Sequence, residues 1–180
     1  MVESTHIDAY HMKSENMKIN RVWSMPNKWT FDVKPIRELL IKYVGTGLGW
    51  VDPFAGKSEL CQYRNDLKTD QPNNHDALQF LKSFPQQSVN GVLLDPPYSH
   101  RQLFKTYRSG SKALTNKKVP MTEINIVTAR IIINGGFCIS FGWNTNGIGK
   151  KRGFEIVEIL VVAHGGHHND TLVTVEQKIT

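Results

Sequence analysis

The chain has 180 residues and a mass of 20.5 kDa, which is the size of one compact domain. Hydrophobic residues make up 39% and charged residues 21%, so the chain can bury a core and is not expected to be disordered throughout. No apolar run approaches the roughly 18 to 20 residues needed to cross a bilayer. The net charge of +6 favours anionic partners such as nucleic acid and says nothing about the fold.

The N-terminal region differs from the rest of the chain. Residues 1–23 lack hydrophobic periodicity and are expected to form a mobile arm ahead of one domain over residues 24–180. A helix is predicted from Lys34, because Pro35 suits a first helical turn and apolar residues recur at helical spacing until Gly45. Two strands follow, LGWVD and CQYRNDL, and each leads to an acid.

The middle and the C-terminal part alternate helices and strands. HDALQFLKSF reads as a short helix, and Val89–Leu94 reads as a strongly apolar strand that runs into Asp95. MTEINIVTARIIINGG reads as a helix that closes at Gly135 and Gly136, where glycine can take the left-handed conformation of a C-cap. GFCISFGW, FEIVEILVVAHG and DTLVTVEQK read as strands, the last two joined by the turn-forming GGHHN.

This order of elements predicts an α/β fold. Strands that alternate with helices imply crossover connections and a largely parallel sheet covered on both faces. The last two strands have no helix between them, so they should form a hairpin. We predict a single Rossmann-like domain, with a mostly parallel seven-stranded sheet, an antiparallel C-terminal edge hairpin and helices on both faces. Other doubly wound α/β domains share this periodicity.

The N-terminus and the cysteines indicate the compartment. The first twenty residues are polar and carry acids and histidines, unlike a signal peptide or an Arg-rich transit sequence. Cys61 and Cys138 each lie in a segment that reads as a buried strand, where a free thiol behaves as a small hydrophobe. Neither a disulfide framework nor a cysteine metal site is expected. The sequence therefore predicts a cytoplasmic protein.

The segment LLDPPYS carries the clearest chemical signal. Asp95, Pro96, Pro97 and Tyr98 directly follow an apolar strand, and ligands of open α/β sheets bind beyond the carboxyl ends of the strands. Consecutive prolines fix φ and leave their carbonyls free, so Asp95 and Pro96 offer two rigid acceptors for the hydrogens of an exocyclic amino group. The amino nitrogen then keeps its lone pair aimed at an electrophile, while Tyr98 offers a surface for stacking a base. A Pro-Pro turn with a capping acid is the simpler interpretation of the same residues.

A second motif, VDPFAGKS, lies upstream at the end of another predicted strand. A strand-terminal acid, a tight turn and a small Ala-Gly pair let a ligand approach the backbone closely. The motif resembles the first glycine-rich turn of S-adenosylmethionine-binding folds, D/E-x-F-x-G-x-G, except that Ser58 replaces the second glycine. The cofactor residues that it implies are Asp52, Pro53, Phe54, Ala55 and Gly56.

Two further acids lie where such a cofactor needs hydrogen-bond acceptors. Asp66 follows the second strand and is placed to accept from ribose hydroxyls, as an acid does in dinucleotide-binding folds. Asp76 could contact an adenine amino group, and it is equally a preferred N-cap for the helix that it precedes. These two roles of Asp76 are compatible.

Together the motifs resemble one family. MPNKWTFDVKPIRELL, VDPFAG, LLDPPYS and the closing segment that begins FGWNTN resemble the motifs of small phage- and prophage-type adenine-specific DNA methyltransferases, in the class I S-adenosylmethionine-dependent family. The likeness runs from about Met25 to the C-terminus. It implies methyl transfer from S-adenosylmethionine to N6 of a flipped adenine in DNA, in the cytoplasm of a bacterial or phage-infected host cell.

The resemblance also assigns the residues before the first helix. It implies that Thr30, Phe31 and Lys34 line the methionine end of the cofactor. By the pattern of the residues alone, Phe31 is equally a core side chain and Lys34 an exposed one.

A basic stretch follows the Asp-Pro-Pro-Tyr turn. Between positions 100 and 120 there are six basic residues and no acid, with aromatic residues interleaved. Because this stretch leaves the catalytic turn directly, we expect a lid or recognition loop that contacts phosphates rather than an ordinary solvated loop. The predicted nucleic-acid-binding residues are Arg101, Lys105, Arg108, Lys112, Lys117 and Lys118.

Three other features have open interpretations. GIGKKRG is a second basic cluster in a glycine-rich turn and fits either phosphate contact or an ordinary charged loop. His164, His167 and His168 lie near an exposed hairpin turn without a matching Cys or carboxylate set, so no metal site is predicted. Trp143 follows a strand end, where it either borders the pocket or, as the simpler expectation, packs in the core.

Other substrates fit the same turn. An RNA methyltransferase acting on guanine N2 or adenine N6 of ribosomal RNA is a second interpretation, because the Asp-Pro-Pro turn serves any planar exocyclic amine. Cytosine N4 in DNA is a nearer rival, although a serine in place of Asp95 is more usual there. A catalytically inactive nucleic-acid-binding protein on the same scaffold is a further alternative, motivated by Ser58 and by the little room for a recognition region. Such a small chain could recognise DNA with its lid or as a homodimer.

Overall fold

The computed structural model describes residues 17–67, 69–97 and 119–180. In chain order, its helices are α1 (Lys34–Val44), α2 (Ala77–Lys82) and α3 (Met121–Ile131). Its strands are β1 (Lys18–Trp23), β2 (Trp50–Asp52), β3 (Tyr63–Arg64), β4 (Val89–Leu94), β5 (Ile132–Gly142), β6 (Phe154–Ala163) and β7 (Thr171–Lys178). Two 3-10 turns, Thr30–Asp32 and Lys150–Arg152, precede α1 and β6.

All seven strands belong to one sheet, in the order β1-β6-β7-β5-β4-β2-β3. β1 pairs in parallel with β6, and β3, β2, β4 and β5 pair in parallel in turn. β7 is antiparallel to both of its neighbours, β5 and β6. The predicted mostly parallel α/β sheet of seven strands is therefore confirmed. The six parallel strands end at the same side of the sheet, which we call the carboxyl edge.

Helices cover both faces of the sheet, as the sequence predicts. Leu93 of β4 packs in a cluster with the buried residues of α1, whereas its neighbours Val92 and Leu94 pack in a second cluster with α2 and α3. Successive side chains of a strand point to opposite faces, so cover on both sides explains why β4 is apolar along nearly its whole length.

α1 forms where the helical pattern predicts it. Pro35 lies in its first turn, and its buried side chains recur at helical spacing: Ile36, Leu39, Leu40 and Val44. The helix ends at Gly45, whose φ of 58° is favourable for glycine. This helix fixes the segment just before it, Thr30–Asp32, at the carboxyl edge.

The C-terminal hairpin does not lie at the edge of the sheet. β1 pairs with β6 along its whole length, from Lys18 against Glu158 to Trp23 against Ala163, and so covers it. The predicted edge position is wrong, and residues 18–23 form a strand rather than part of an unstructured arm. The side chains of β1 are mostly exposed, so no apolar alternation marks the strand in the sequence, and backbone hydrogen bonds to β6 define it.

α3 is shorter than the sequence predicts. It ends at Ile131, and Gly135 and Gly136 lie inside β5 rather than at a helix C-cap. The β-branched run Ile131-Ile132-Ile133 favours a strand, and the β4–β5 register shifts where the two glycines occur. A Cβ added at Gly136 would lie 2.6 Å from the carbonyl oxygen of Asn90, so glycine here permits close approach of two strands.

Both cysteines are free and buried. Cys138 lies in β5 as predicted, whereas Cys61 lies in an irregular segment before β3. Within residues 17–67, 69–97 and 119–180, no helix has the length and apolar character needed to cross a membrane.

Candidate functional site

Two acids that the sequence singles out meet at the carboxyl edge. Asp52 is the last residue of β2, and Asp95 directly follows β4. β2 and β4 are parallel neighbours, paired from Trp50 against Gly91 to Val51 against Val92. Because adjacent strands lie about 4.8 Å apart, their terminal acids belong to one site.

The Asp52 side chain is buried away from solvent. It is 1% exposed, its Oδ1 accepts a hydrogen bond from the backbone N–H of Phe54 at 3.0 Å, and its Oδ2 has no hydrogen-bond partner. Burial, with smaller contributions from the charges of Asp95 and Asp66, raises the pKa of Asp52 to about 8, against the lowering effect of the hydrogen bond from the Phe54 N–H. The side chain is therefore mostly neutral at pH 7, and one of its two oxygens is buried without a hydrogen-bond partner.

Asp95 is held differently. Burial raises the pKa of Asp95 to about 6, and a hydrogen bond from the Thr30 side chain opposes that rise. Asp95 is therefore mostly ionised at pH 7. Thr30, on the turn before α1, thus connects the N-terminal motif to the Asp-Pro-Pro turn, in which Pro96 is buried and Pro97 partly exposed. Tyr98 lies outside the described residues.

The glycine turn after β2 is tightly closed. The backbone N–H of Ser58 donates to the carbonyl of Ala55 at 2.7 Å, so serine at this position closes the turn. Gly56 has a φ of 54°, and a Cβ added there would lie 3.6 Å from the Trp29 ring. Pro53 and Ala55 are buried, and Phe54 packs against the core cluster of α2 and α3. The Trp29 ring therefore packs over Gly56, whose N–H donates to Asp66 and whose carbonyl accepts from Gln71.

Asp66 holds this glycine turn in place. Its Oδ2 accepts from the Gly56 N–H at 3.1 Å and its Oδ1 accepts from the Thr69 N–H at 3.0 Å. The sequence predicts contact with ribose hydroxyls for this residue. The two backbone contacts tie the glycine turn to the segment that follows Asp66.

Asn65 is a structural residue of the site that the sequence analysis does not single out. It is fully buried, and its side-chain amide donates to the Pro53 carbonyl at 3.1 Å and to the His75 carbonyl at 3.0 Å. Its Oδ1 accepts from the His75 N–H at 2.8 Å. Asn65 thus joins the glycine turn to the segment before α2. The polar pair Asn-Asp after a strand is the signal in the sequence, and only the charged member suggests ligand chemistry.

The other predicted cofactor residues separate into clear environments. Asp76 caps α2, because its Oδ1 accepts from the N–H groups of Leu78 and Gln79 at 3.1 and 3.3 Å. Phe31 is partly buried and packs against Phe141, with the ring centroids 5.1 Å apart. Lys34 is exposed. The capping role predicted for Asp76 is confirmed.

The six basic residues predicted to contact nucleic acid, Arg101 to Lys118, lie outside the described residues. The second basic cluster, GIGKKRG, lies within the described residues, and a side chain of the protein itself binds two of its backbone N–H groups. Glu176, fully buried in β7, accepts from the N–H groups of Ile148 and Gly149 at 2.6 and 2.8 Å. These N–H groups are therefore satisfied by the chain itself and do not form a phosphate site.

His164 and Trp143 differ from the simplest expectation. His164 is buried, with Nδ1 at 2.8 Å from the Ser24 carbonyl and Nε2 at 2.9 Å from the Thr171 hydroxyl, so it joins the end of β1 to the β6–β7 hairpin. Trp143 is 59% exposed and does not pack in the core. In the part of the chain that the structure describes, no group of three or more His, Cys, Asp or Glu side chains could hold a metal ion.

Comparison with known proteins gives a weak structural likeness. No family model and no curated protein sequence matches the chain. Among solved structures, the chain is similar to a provisionally assigned DNA modification methylase from Thermus thermophilus, with a TM-score of 0.39 and 19% sequence identity. The match covers 58% of this chain and 52% of that one, so the chain spans about half the length of this neighbour. A likeness of this degree bears on neither activity nor substrate.

Proposed function

We propose that the chain is a cytoplasmic S-adenosylmethionine-dependent DNA methyltransferase that modifies N6 of adenine. One observation supports this more than any other. The ends of β2 and β4 bring an acid with an unsatisfied oxygen, Asp52, beside the acid of an Asp-Pro-Pro turn, Asp95, and Thr30 reaches the same place. One of these acids is mostly neutral at pH 7 and the other mostly ionised. We assign the first to binding a cationic cofactor and the second to accepting a hydrogen bond from an amino group.

The residues around Asp52 fit S-adenosylmethionine. The ammonium and sulfonium groups of this ligand are positively charged. A positive charge close to Asp52 would favour loss of its proton, and the resulting carboxylate would pair with the ligand through the oxygen that has no partner in the protein. Gly56 presents backbone with no Cβ, so an adenosyl group could lie close to the turn. Asp52, Gly56 and Asp66 would hold the cofactor, together with Thr30 and Phe31. When bound, it supplies an activated methyl group.

The Asp-Pro-Pro turn would then orient the substrate. The Asp95 carboxylate and the Pro96 carbonyl accept the two hydrogens of the adenine amino group, so the nitrogen lone pair faces the methyl donor. Proline at positions 96 and 97 limits movement of the turn, which keeps these acceptors fixed. Tyr98 would stack on the base, and extrusion of the base from the duplex costs a few kcal/mol. The basic residues from Arg101 to Lys118 would bind phosphates around it.

Methyl transfer from a labelled cofactor tests the proposal. The purified protein is given duplex DNA, single-stranded DNA or ribosomal RNA, and the modified base is identified by mass spectrometry of the nucleosides. We expect label on N6-methyladenine from DNA. Label on RNA, on cytosine N4 or on no substrate would refute the assignment in favour of one of its alternatives.

Variants locate the reaction at Asp95. Asp95→Ala should lower the rate by about 100-fold or more, because the amino group loses its positioning acceptor. The same variant should retain cofactor binding by calorimetry, since removal of the Asp95 charge makes ionisation of Asp52 easier. Glu38→Gln, a change at an exposed acid of α1, is the matched control and should keep wild-type activity. Near-normal activity of Asp95→Ala would disprove the role.

A further inference from the structure

Large apolar side chains are exposed on the segment from Trp23 to Trp29, which we call the tryptophan segment. Trp23 is 65% exposed, Met25 is 66% exposed and Trp29 is 37% exposed. Side chains of this size are usually more buried in a folded domain, and an exposed cluster of them marks a site of interaction. The segment joins β1 to the turn before α1, so it lies at the carboxyl edge.

The backbone of this segment is anchored at both ends. At its start, the Ser24 N–H donates to the Ala163 carbonyl at 3.0 Å, and a Cβ added at Gly165 would lie 3.3 Å from Trp23 Nε1. At its end, the Trp29 carbonyl accepts from the N–H of Asp32 in the turn before α1 at 3.0 Å. The exposed side chains are therefore presented by a defined backbone, which lowers the entropy lost when a partner binds.

The position of the segment relates it to the proposed reaction. It begins over the β6–β7 hairpin and ends over the glycine turn after β2, so it crosses the ends of the strands that lie between. The residue after it, Thr30, hydrogen-bonds to Asp95. The segment therefore lies beside the position that a polymer would occupy with its target group at Asp95.

The charges nearby are those that an anionic polymer requires. Lys28 Nζ lies 5.1 Å and Lys57 Nζ lies 5.6 Å from the centre of the Trp29 ring. Of the two acids at the ends of β2 and β4, Asp52 is mostly neutral at pH 7, so Asp95 is the one whose charge opposes a phosphate there. Lysines beside aromatic rings are the composition of surfaces on which unpaired bases stack while phosphates are neutralised.

We propose that the tryptophan segment, together with Lys57, binds the nucleic-acid strand that flanks the target base. Trp23 and Trp29 would stack on unpaired bases, Met25 would pack against sugar or base, and Lys28 and Lys57 would contact phosphates. This inference rests on the proposed function only for the direction in which the strand enters, because the aromatic and basic surface exists whatever the reaction is.

Fluorescence anisotropy with a labelled single-stranded oligonucleotide tests the surface. Trp23→Ala should weaken binding about 5- to 100-fold, the range for loss of one stacked base, and Trp23→Tyr should restore most of it. The double variant Lys28→Gln/Lys57→Gln should lower the slope of log K against log salt by about 1.4, which corresponds to two lost phosphate contacts on a single strand. Because it changes only exposed lysines, this variant decides the question even if Trp23→Ala does not fold.

Matched controls lie at the opposite edge of the sheet. Leu48 precedes β2 and is 66% exposed, the same fraction as Met25, and Lys82 is an exposed lysine at the end of α2. Leu48→Ala and Lys82→Gln should leave affinity and salt dependence unchanged. Equal losses in these controls, or wild-type affinity in both the Trp23 and the lysine variants, would overturn the inference.

Two further outcomes separate this inference from its rivals. If sedimentation shows that Trp23→Ala converts a dimer into a monomer without changing oligonucleotide affinity, the surface joins two copies of the chain and the inference is wrong. If the surface variants lose oligonucleotide affinity while the wild type transfers no methyl group to any substrate, the proposed reaction fails and the surface stands. Methyl transfer that proceeds with unchanged affinity in all surface variants refutes the surface alone.

Discussion

Replacement of Asp52 by asparagine should stabilise the protein at neutral pH. Burial raises the pKa of Asp52 from its ordinary value of 3.8 to about 8, so the folded chain holds a proton that the unfolded chain has lost over this interval. Folding therefore becomes less favourable by about 1.4 kcal/mol for each pH unit above 4, which amounts to at most about 4 kcal/mol at pH 7. The loss begins near pH 4 and is complete near pH 8.

Asparagine removes this dependence at a smaller cost. Its oxygen can still accept from the Phe54 N–H, which lies 3.0 Å from Oδ1 of Asp52. Its amide nitrogen would take the place of Oδ2, the atom without a partner, and an unsatisfied buried donor costs about 1–3 kcal/mol. We therefore expect Asp52→Asn to be less stable than the wild type at pH 4 and more stable by about 1–3 kcal/mol at pH 7.

Urea unfolding from pH 4 to pH 8 tests whether the order of stability between Asp52→Asn and the wild type reverses. The quantity compared is the difference in unfolding free energy between variant and wild type, so that other titrating groups cancel. Asp76→Asn is the control, because Asp76 is exposed and asparagine caps a helix as well; its difference should stay within about 0.5 kcal/mol at every pH. A difference for Asp52→Asn that does not change with pH would show that Asp52 is ionised in the folded protein and would refute the reasoning.

Two further substitutions test the packing around the sheet. Gly147→Ala should destabilise the protein by about 2–4 kcal/mol in urea unfolding, because its Cβ would lie 2.0 Å from Glu176 Oε2. Gly135→Ala is the control: its Cβ would meet nothing within 4 Å, so it should show only the strain of a positive φ, about 1–2 kcal/mol. Equal losses of stability in the two variants would contradict this account. Glu158→Gln should cost about 1–3 kcal/mol at pH 7, since hydrogen bonds from Lys42 and from the Tyr43 hydroxyl lower the pKa of Glu158 and are weakened without its charge. That stability is present above the ordinary pKa of 4.5 and is lost as pH falls through the lowered pKa of Glu158, so the cost should shrink as the solution is acidified below pH 4.5. A cost that does not change on acidification would indicate a packing effect.

Apolar pattern and turn chemistry predict most of the elements. β4 is identified because a short, largely apolar run before a Pro-Pro turn favours a strand covered on both faces. α1 is identified because its apolar residues recur every three or four positions between a proline and a glycine. β1 has no such signal. Its side chains are mostly exposed, so its place beside β6 depends on backbone hydrogen bonds between residues about 140 positions apart, which no local pattern encodes.

The end of α3 shows a different limit. Two glycines after a helical pattern are typical of a C-cap, yet Gly136 lies in a strand because the backbone of β4 approaches it closely. Propensity at one position gives way to tertiary contact, since the same lack of a Cβ serves a helix end and a close strand pair equally well.

The charged residues of the site can be predicted from the sequence, but the uncharged residues that position them cannot. Acids after strands attract attention because they suggest ligand chemistry, and three of them converge at the carboxyl edge. Asn65 has no such signal, although it links the glycine turn to the start of α2. The proximity of Thr30 to Asp95 is likewise absent from any spacing, because it arises from the path of the chain across the strand ends.

The arrangement of these acids explains why the site favours a cation. Burial and the charges of Asp95 and Asp66 oppose ionisation of Asp52, and the fold offsets this only in part, through the Phe54 N–H at Asp52, the Gly56 N–H at Asp66 and the Thr30 side chain at Asp95. A hydrophobic residue in place of Asp52 would remove both the repulsion and the unsatisfied oxygen, so the acid is unfavourable for folding alone. A buried acid that destabilises the empty fold at this edge is best explained by a cationic ligand that pairs with it. Binding of such a ligand stabilises the folded chain and so offsets the cost of the acid.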